Sequence, residues 1–158
     1  MPYWRLFYHV VWGTKHRQPL LDDQDAAVVE RSIRTTLRSL RAIPHAIGVM
    51  PDHIHVALSV PPNIAISTVV GRMKGASAHA LNHHPTRPRE IRFSWQTEYG
   101  VLSFGERALP DVIAYVQNQR EHHASQRIWS SLELTPATRS QVRGNHLGPD
   151  GVPLPQRG

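Results

Sequence analysis

The 158-residue chain contains no cysteine. Disulfide bonds and thiolate-held zinc are therefore excluded, because both need cysteine sulfur. A metal ion would have to be held by imidazole, carboxylate, amide or water ligands. The sequence also lacks an apolar run long enough to span a bilayer, and no signal-peptide pattern follows Met1. We therefore expect a cytoplasmic protein with no membrane partner.

Lysine is scarce as well: Lys15 and Lys74 are the only two, and arginines supply the rest of the 18 basic residues. The 12 acidic residues leave a formal net charge of +6. Arginine suits phosphate groups because its planar fork donates two hydrogen bonds at once. The composition favours a nucleic-acid partner, but an arginine-rich host composition would produce the same surface.

The hydrophobic periodicity predicts one compact domain over residues 1–125. The predicted elements are, in order, a strand over 3–12, a helix over 22–41, a hairpin over 46–60, a helix over 64–82, short strands near 91–95 and 100–104, and a helix from 110 to about 124. Residues 126–158 form a C-terminal extension. We expect it to be flexible from about residue 136, because it is Pro/Gly-rich and has no periodicity.

This β-α-β-β-α-β-β-α order predicts an α+β fold. Hairpins that alternate with helices imply a mainly antiparallel sheet with helices packed mainly on one face. The pattern is close to the ferredoxin-like, or RRM-like, arrangement.

Two histidines stand two residues apart on the second strand of the predicted hairpin. Side chains alternate between the faces of a strand, so His53 and His55 share one face while Ile54 and Val56 share the other. The apolar pair can pack on the helices while both imidazoles face outward. Same-face neighbours lie about 6–7 Å apart at the backbone, so two imidazoles can converge on one cation. A pair of ordinary surface histidines is the alternative, because the chain has 11 histidines.

The last predicted helix carries a tyrosine. Its predicted buried stripe consists of Leu109, Val112, Ile113 and Val116. Tyr115, Gln119 and His122 fall on the flank of that stripe, and the i, i+4 spacing places Tyr115 beside Gln119. Packing at the rim of the core is the alternative interpretation of Tyr115.

These residue types are those that phosphodiester cleavage requires. A divalent metal ion held by neutral imidazoles and an amide can polarise a phosphate oxygen. Tyrosine has a pKa near 10 in its ordinary state, so a nearby cation is needed to make it a good nucleophile. A phosphotyrosine product retains the bond energy, so rejoining would need no ATP. The two motifs together indicate an enzyme that cuts and rejoins DNA.

Several segments resemble one known family in the same order along residues 3–125. They are Tyr8–Arg17 (YHVVWGTKHR), Val49–His55 (VMPDHIH), Met73–Gly75, Trp95 with Tyr99–Ser103, and Tyr115 with Gln119 and His122-His123. The combination resembles the HUH-type single-tyrosine transposases of small insertion sequences and their REP-associated relatives.

The resemblance implies a role for each matching residue. Tyr115 would attack the scissile phosphate and become linked to its 5′ side, leaving a free 3′-OH. His53, His55 and Gln119 would hold Mg²⁺ or Mn²⁺. The substrate would be single-stranded DNA with hairpins near the element ends. The protein would be a homodimer, nucleoid-associated when acting, and the tyrosine could serve its own or its partner's histidine pair.

Four basic residues are candidate nucleic-acid contacts: Lys15 and Arg17 after the first strand, and Arg72 and Lys74 on the second helix. A solvated basic loop is the alternative for the first pair. His122 is a candidate accessory group for proton transfer, with helix-end capping as its alternative.

Two other functions remain open at this stage. One is a domesticated or inactive relative that only binds structured nucleic acid. The other is a different HUH endonuclease, such as a plasmid relaxase or replication initiator, although those usually have larger chains.

Overall fold

The computed structural model describes residues 3–119. The elements are β1 (Phe7–Gly13), α1 (Asp23–Ser39), β2 (Ile43–Val49), β3 (His53–Ser59), α2 (Ile66–Asn82), β4 (Gly100–Phe104) and α3 (Leu109–Gln117). Short 3₁₀ turns occur at Lys15–Arg17 and Glu106–Ala108. Within the described residues, no helix is long and apolar enough to cross a membrane.

The four strands form one sheet in the order β2-β3-β1-β4. Every neighbouring pair is antiparallel. In the central pair, Val11 lies opposite His55 and His9 lies opposite Ala57. The α+β fold with an antiparallel sheet is therefore confirmed.

The main core lies between one face of the sheet and the helices α1 and α2. The sheet contributes Val10, Trp12, Ile54, Val56 and Leu58, and the helices contribute Val29, Ile33, Leu37, Val69, Val70, Met73 and Leu81. Their spacing at i, i+3 and i+4 along each helix is what places them on one stripe. Burying this apolar surface is the main source of stability of the domain.

The start of α1 follows from its acidic N-terminal sequence. The Asp22 carboxylate accepts a hydrogen bond from the Asp25 backbone N–H at 2.8 Å, and the Asp25 carboxylate accepts one from the Asp22 N–H at 3.4 Å. This reciprocal capping box satisfies two backbone donors that the first helical turn leaves open.

The third helix packs on the opposite face of the sheet. Val112 and Val116 of α3 form a small cluster with Ala46 of β2 and Ala57 of β3. Of the three helices within residues 3–119, α1 and α2 thus share a face, as expected, and α3 covers the other face. This arrangement positions the candidate site.

The strand predicted near 91–95 is wrong. Trp95 makes only an isolated bridge with Thr14. The Asn82 side chain donates from Nδ2 to the Phe93 carbonyl at 2.9 Å and accepts from the Phe93 N–H at 2.7 Å. A side-chain amide therefore takes the backbone groups that a ladder partner would have used. The extension over 126–158 and the last helix beyond residue 119 lie outside the described residues.

Candidate active site

Five polar side chains lie between the sheet and α3. His9 is on β1, His53 and His55 are on β3, and Tyr115 and Gln119 come from α3 and the residues that follow it. All five are at most 2% exposed. The expectation that both imidazoles face outward is therefore wrong. They do leave the main core, as the strand alternation predicts, but α3 covers the face that they enter.

Tyr115 lies beside the histidines of its own chain. Its ring centroid is 6.0 Å from that of His55 at an interplanar angle of 82°, and 6.3 Å from that of His9 at 88°. Tyr115 thus belongs to the buried stripe of α3 and not to its flank, because the sheet and α3 pack so closely here. The structure brings the phenol ring and the His55 ring together within one chain.

His53 is held from behind by an acidic side chain. Its Nδ1 lies 2.6 Å from Asp52 Oδ1, and Asp52 Oδ2 lies 3.2 Å from Arg17 Nη2. Burial alone raises the pKa of Asp52, but the hydrogen bond and charge of His53 and the charge of Arg17 lower it, so that the pKa lies below its ordinary value. The carboxylate is then ionised at neutral pH and can only accept. His53 therefore donates from Nδ1, and when its ring is neutral Nε2 is the nitrogen that carries the lone pair.

The loop that carries Arg17 adopts an unusual backbone. His16 and Arg17 have φ values of 59° and 55°, in the left-handed region that costs a non-glycine residue roughly 1–2 kcal/mol. A β-carbon on Gly13 would lie 2.7 Å from Arg17 Cδ. The absence of a side chain at Gly13 therefore lets the aliphatic part of the Arg17 side chain pass over this position. The strained loop is thereby tied to Asp52 and through it to His53.

Gln119 presents a buried amide oxygen at the end of α3. Its Nε2 donates to the Tyr115 carbonyl at 3.1 Å. Its Oε1 is buried and has no hydrogen-bond partner among residues 3–119. An unpartnered buried acceptor is costly, and a cation would satisfy it.

The donor set fits a divalent cation in its chemistry. Neutral imidazole and amide oxygen are both ordinary ligands of divalent metals, and His53 retains a lone pair at Nε2. Within residues 3–119, no group of three or more His, Cys, Asp or Glu side chains is placed to hold a metal ion. The candidate set is therefore two imidazoles and one amide, with water completing the shell.

The four candidate DNA-contacting residues have different surroundings. Lys15 and Arg72 are exposed, whereas Arg17 pairs with Asp52. The Lys74 ammonium donates to the carbonyls of residues 96, 97 and 98 at 2.7, 2.9 and 3.4 Å, and its burial lowers its pKa. The Lys74 donors are thus engaged in holding that loop. His122 lies outside the described residues.

Two residues of this site were not singled out from the sequence. His9 lies in the first strand, and its Nε2 is 3.0 Å from His55 Nδ1. Asp52 immediately precedes the histidine pair. A polar residue inside the apolar run Phe7–Gly13 was a usable signal for His9, because a strand with both faces buried seldom admits an imidazole without a purpose.

The comparisons with known proteins identify the family. The family described as "Transposase IS200 like" matches residues 2–119, so the protein belongs to the IS200-like transposases. The resemblance to single-tyrosine transposases inferred from the motifs is confirmed. Among curated relatives, the ISDra2 transposase TnpA of Deinococcus radiodurans is 27% identical over 121 residues, covering 75% of this chain and 86% of that protein.

Other proteins that the chain resembles are also described as transposases. The IS200 transposase of Salmonella typhimurium is 27% identical over 78 residues, which cover 49% of this chain and 51% of that protein. A crystal structure described as a transposase from Deinococcus radiodurans R1 is similar with a TM-score of 0.58 and 29% identity, covering 75% of this chain and 95% of that chain. A REP-associated tyrosine transposase bound to a REP hairpin has a TM-score of 0.59 at 16% identity, with coverages of 98% and 93%. At that identity the last match shows a shared fold.

Proposed function

We propose that this transposase cleaves and rejoins single-stranded DNA through a covalent bond to Tyr115, with Mg²⁺ or Mn²⁺ held by His53, His55 and Gln119. The observation that carries the proposal is the 6.0 Å separation of the Tyr115 and His55 ring centroids within one chain. A tyrosine that served packing alone would not need the two imidazoles of His9 and His55 beside it.

In the proposed step, the Tyr115 phenol oxygen bonds to the scissile phosphorus and the bond to the 3′ oxygen breaks. The phenol proton leaves to solvent, and the 3′ oxygen departs as a free hydroxyl after taking up a proton. The bound cation supplies charge neutralisation at the phosphate. Rejoining is the reverse attack by a 3′-OH on the phosphotyrosine bond, so no further energy source is required.

Access to Tyr115 requires a movement of α3. The Tyr115 side chain is 2% exposed, so a phosphate cannot reach its oxygen while α3 lies on the sheet. The apolar cluster under α3 is small and contains two alanines. Because hydrophobic stabilisation follows the buried apolar area, shifting α3 costs less than opening the main core.

The proposed substrate is single-stranded DNA with hairpins near the element ends, and the proposed assembly is a homodimer. The net charge of +6 and the exposed basic side chains of Lys15 and Arg72 support binding to a phosphate backbone. Hairpin binding by a REP-associated tyrosine transposase of the same fold supports the hairpin preference.

The test is the formation of a covalent adduct. The protein is incubated with a labelled single-stranded oligonucleotide that carries its element end, with Mg²⁺ or Mn²⁺, and resolved on a denaturing gel. The wild type and the control Tyr99→Phe should form the adduct. Tyr115→Phe should bind the oligonucleotide and form none. An adduct in Tyr115→Phe would show that the nucleophile is another residue.

The same assay separates the proposal from a binding-only relative and tests the metal. Chelation with EDTA, and each of His53→Ala and His55→Ala, should reduce the adduct strongly while DNA binding persists. A wild-type protein that binds hairpin DNA but forms no adduct with either metal would favour the inactive, nucleic-acid-binding alternative.

A further inference from the structure

Among residues 3–119, His9 is a buried titratable side chain in contact with a proposed metal ligand, and the proposed function assigns it no role. It lies on β1 opposite Ala57 and diagonally across from His55. Diagonal neighbours on one face of an antiparallel pair come within reach of long or aromatic side chains. The small Ala57 side chain leaves room for the His9 ring to lean toward His55. His9 is fully buried, with 0% of its surface exposed.

The two rings have the geometry of an in-plane hydrogen bond. His9 Nε2 and His55 Nδ1 are 3.0 Å apart, the ring planes differ by 8°, and the centroids are 5.1 Å apart. Face-to-face rings are closer, as in the His79–His83 pair with centroids at 4.0 Å. The His9 and His55 rings therefore lie side by side. A ring nitrogen accepts through a lone pair in the plane of its ring, so this arrangement aligns donor and acceptor.

The direction of this hydrogen bond decides what His55 can do. If His9 donates, His55 Nδ1 accepts and its proton sits on Nε2, which then cannot bind a metal. If His55 donates from Nδ1, its Nε2 carries the lone pair that a metal ligand needs. His53 shows the same pattern. Its Nδ1 is hydrogen-bonded to the Asp52 carboxylate, so Nε2 is the nitrogen that faces the proposed role of metal ligand.

We propose that His9 is a positioning residue that accepts the Nδ1–H of His55 and so fixes the tautomer in which His55 Nε2 binds the divalent cation. This inference rests on the proposed function, since it assumes that His55 is a metal ligand. His9 itself contacts neither the metal nor the DNA in this proposal. Each of the two imidazole ligands then has its own partner at Nδ1: a carboxylate for His53 and an imidazole for His55.

The first test reads the tautomer without any metal. Long-range ¹⁵N–¹H spectra of the histidine rings, recorded near pH 8 where ordinary imidazoles are neutral, report which nitrogen of His55 carries hydrogen. The proposal expects the Nδ1–H form in the wild type and in His9→Gln, because the Gln amide oxygen can replace His9 Nε2 as acceptor. A His55 ring protonated at Nε2 in the wild type would overturn the proposal.

The second test measures Mn²⁺ affinity by calorimetry. His9→Leu fills similar space but offers no acceptor, and loss of such an outer partner typically weakens metal binding by about 10–100-fold. His9→Gln should keep the wild-type affinity. The matched control is Ser59→Ala, which removes the 2.7 Å hydrogen bond to His45 on the same sheet face and should leave Mn²⁺ affinity unchanged.

The outcomes separate the two levels of inference. If His55→Ala weakens Mn²⁺ binding but His9→Leu does not, the role of His9 is refuted and the proposed metal site stands. If Mn²⁺ affinity is insensitive to His55→Ala, the metal site itself is refuted and His9 with it. If His9→Leu does not fold, the wild-type tautomer and the affinity of His9→Gln still decide the question.

Discussion

Gly48 of β2 lies directly against the backbone of Val116 in α3, such that a β-carbon on Gly48 would be 2.5 Å from the Val116 carbonyl oxygen. This contact brings α3 close enough to the sheet to bury Tyr115, the neighbour of Val116 in the chain. The obstacle is backbone, so α3 itself would have to move to admit any larger residue.

Gly48→Ala should therefore displace α3. Overpacking of this kind typically costs about 1–3 kcal/mol, so we expect a loss of that size in the free energy of unfolding, measured by urea denaturation. Adduct formation through Tyr115 should change as well, because the phenol moves relative to His55. The matched control is Gly75→Ala in α2, where an added β-carbon meets nothing within 4 Å. The control should gain about 0.5–1 kcal/mol. Equal stability of Gly48→Ala and the wild type would contradict the packing argument.

Asp52 should stabilise the fold in a pH-dependent manner. Its pKa in the folded protein lies below the ordinary value of 3.8. A depressed carboxyl pKa stabilises the folded state above the unfolded-state pKa, and this stabilisation is lost as the pH falls through the folded-state value. Asp52→Asn should thus be less stable than the wild type at neutral pH, by about 1–3 kcal/mol for a charged hydrogen bond.

Urea denaturation of both proteins over a range of pH tests this prediction. The difference in unfolding free energy should be constant near neutral pH and should shrink once the pH drops below 3.8. A difference that persists unchanged at the most acidic pH would mean that the charge of Asp52 is not its source.

Lys74 and Arg72 lie on the same helix, but we expect their substitutions to differ. Lys74→Met removes the ammonium that holds the carbonyls of residues 96–98, so thermal stability should fall by the equivalent of about 1–3 kcal/mol. Arg72→Met removes an exposed side chain and should change stability by less than about 0.5 kcal/mol.

For DNA affinity we expect the reverse: Arg72→Met should have the larger effect and Lys74→Met the smaller one. If Arg72 contacts a phosphate, Arg72→Met lowers the affinity for single-stranded DNA. The slope of log affinity against log salt concentration should then become shallower by about 0.7, which is the contribution of one released counterion. Lys74→Met should leave that slope unchanged. A normal melting temperature with a reduced salt slope in Lys74→Met would instead identify Lys74 as a DNA contact.

The capping box of α1 offers a test of local stability away from the site. Asp22→Ala removes the acceptor for the Asp25 N–H and should cost about 0.5–2 kcal/mol in unfolding free energy. Asp22→Ser retains an acceptor and should lose much less. Similar losses in both variants would show that the cap hydrogen bond is not what stabilises the start of α1.

Much of the fold follows from local pattern. Apolar residues recur at every second position in His53–Ser59 and with a period of 3.6 residues in Asp23–Ser39. These periods identify a strand and a helix, because each element turns its recurring apolar side chains toward the core. The segment 91–95 shows the limit. Its composition suits a strand. The Asn82 side-chain amide, however, hydrogen-bonds both the N–H and the C=O of Phe93, and Asn82 lies eleven residues earlier in the chain.

Local pattern likewise predicts only part of the candidate site. The spacing in His53-Ile54-His55 identified two imidazoles on one face, and the i, i+4 spacing of Tyr115 and Gln119 placed them together. These spacings do not predict the burial of all four, because that burial depends on α3 packing on the second face of the sheet. Gly48 permits that crossing, and nothing local to Gly48 indicates its contact with Val116.

Residue types and spacings of a few residues predict the α+β class, the imidazole pair, the tyrosine, the family and the order of all elements except the strand expected near 91–95. The folded chain is needed to show that α3 covers the histidines, that His9 meets His55 and that Asp52 joins Arg17 to His53. Those relationships connect residues that are distant in the chain, and they arise from strand register and helix packing, which short-range patterns do not encode.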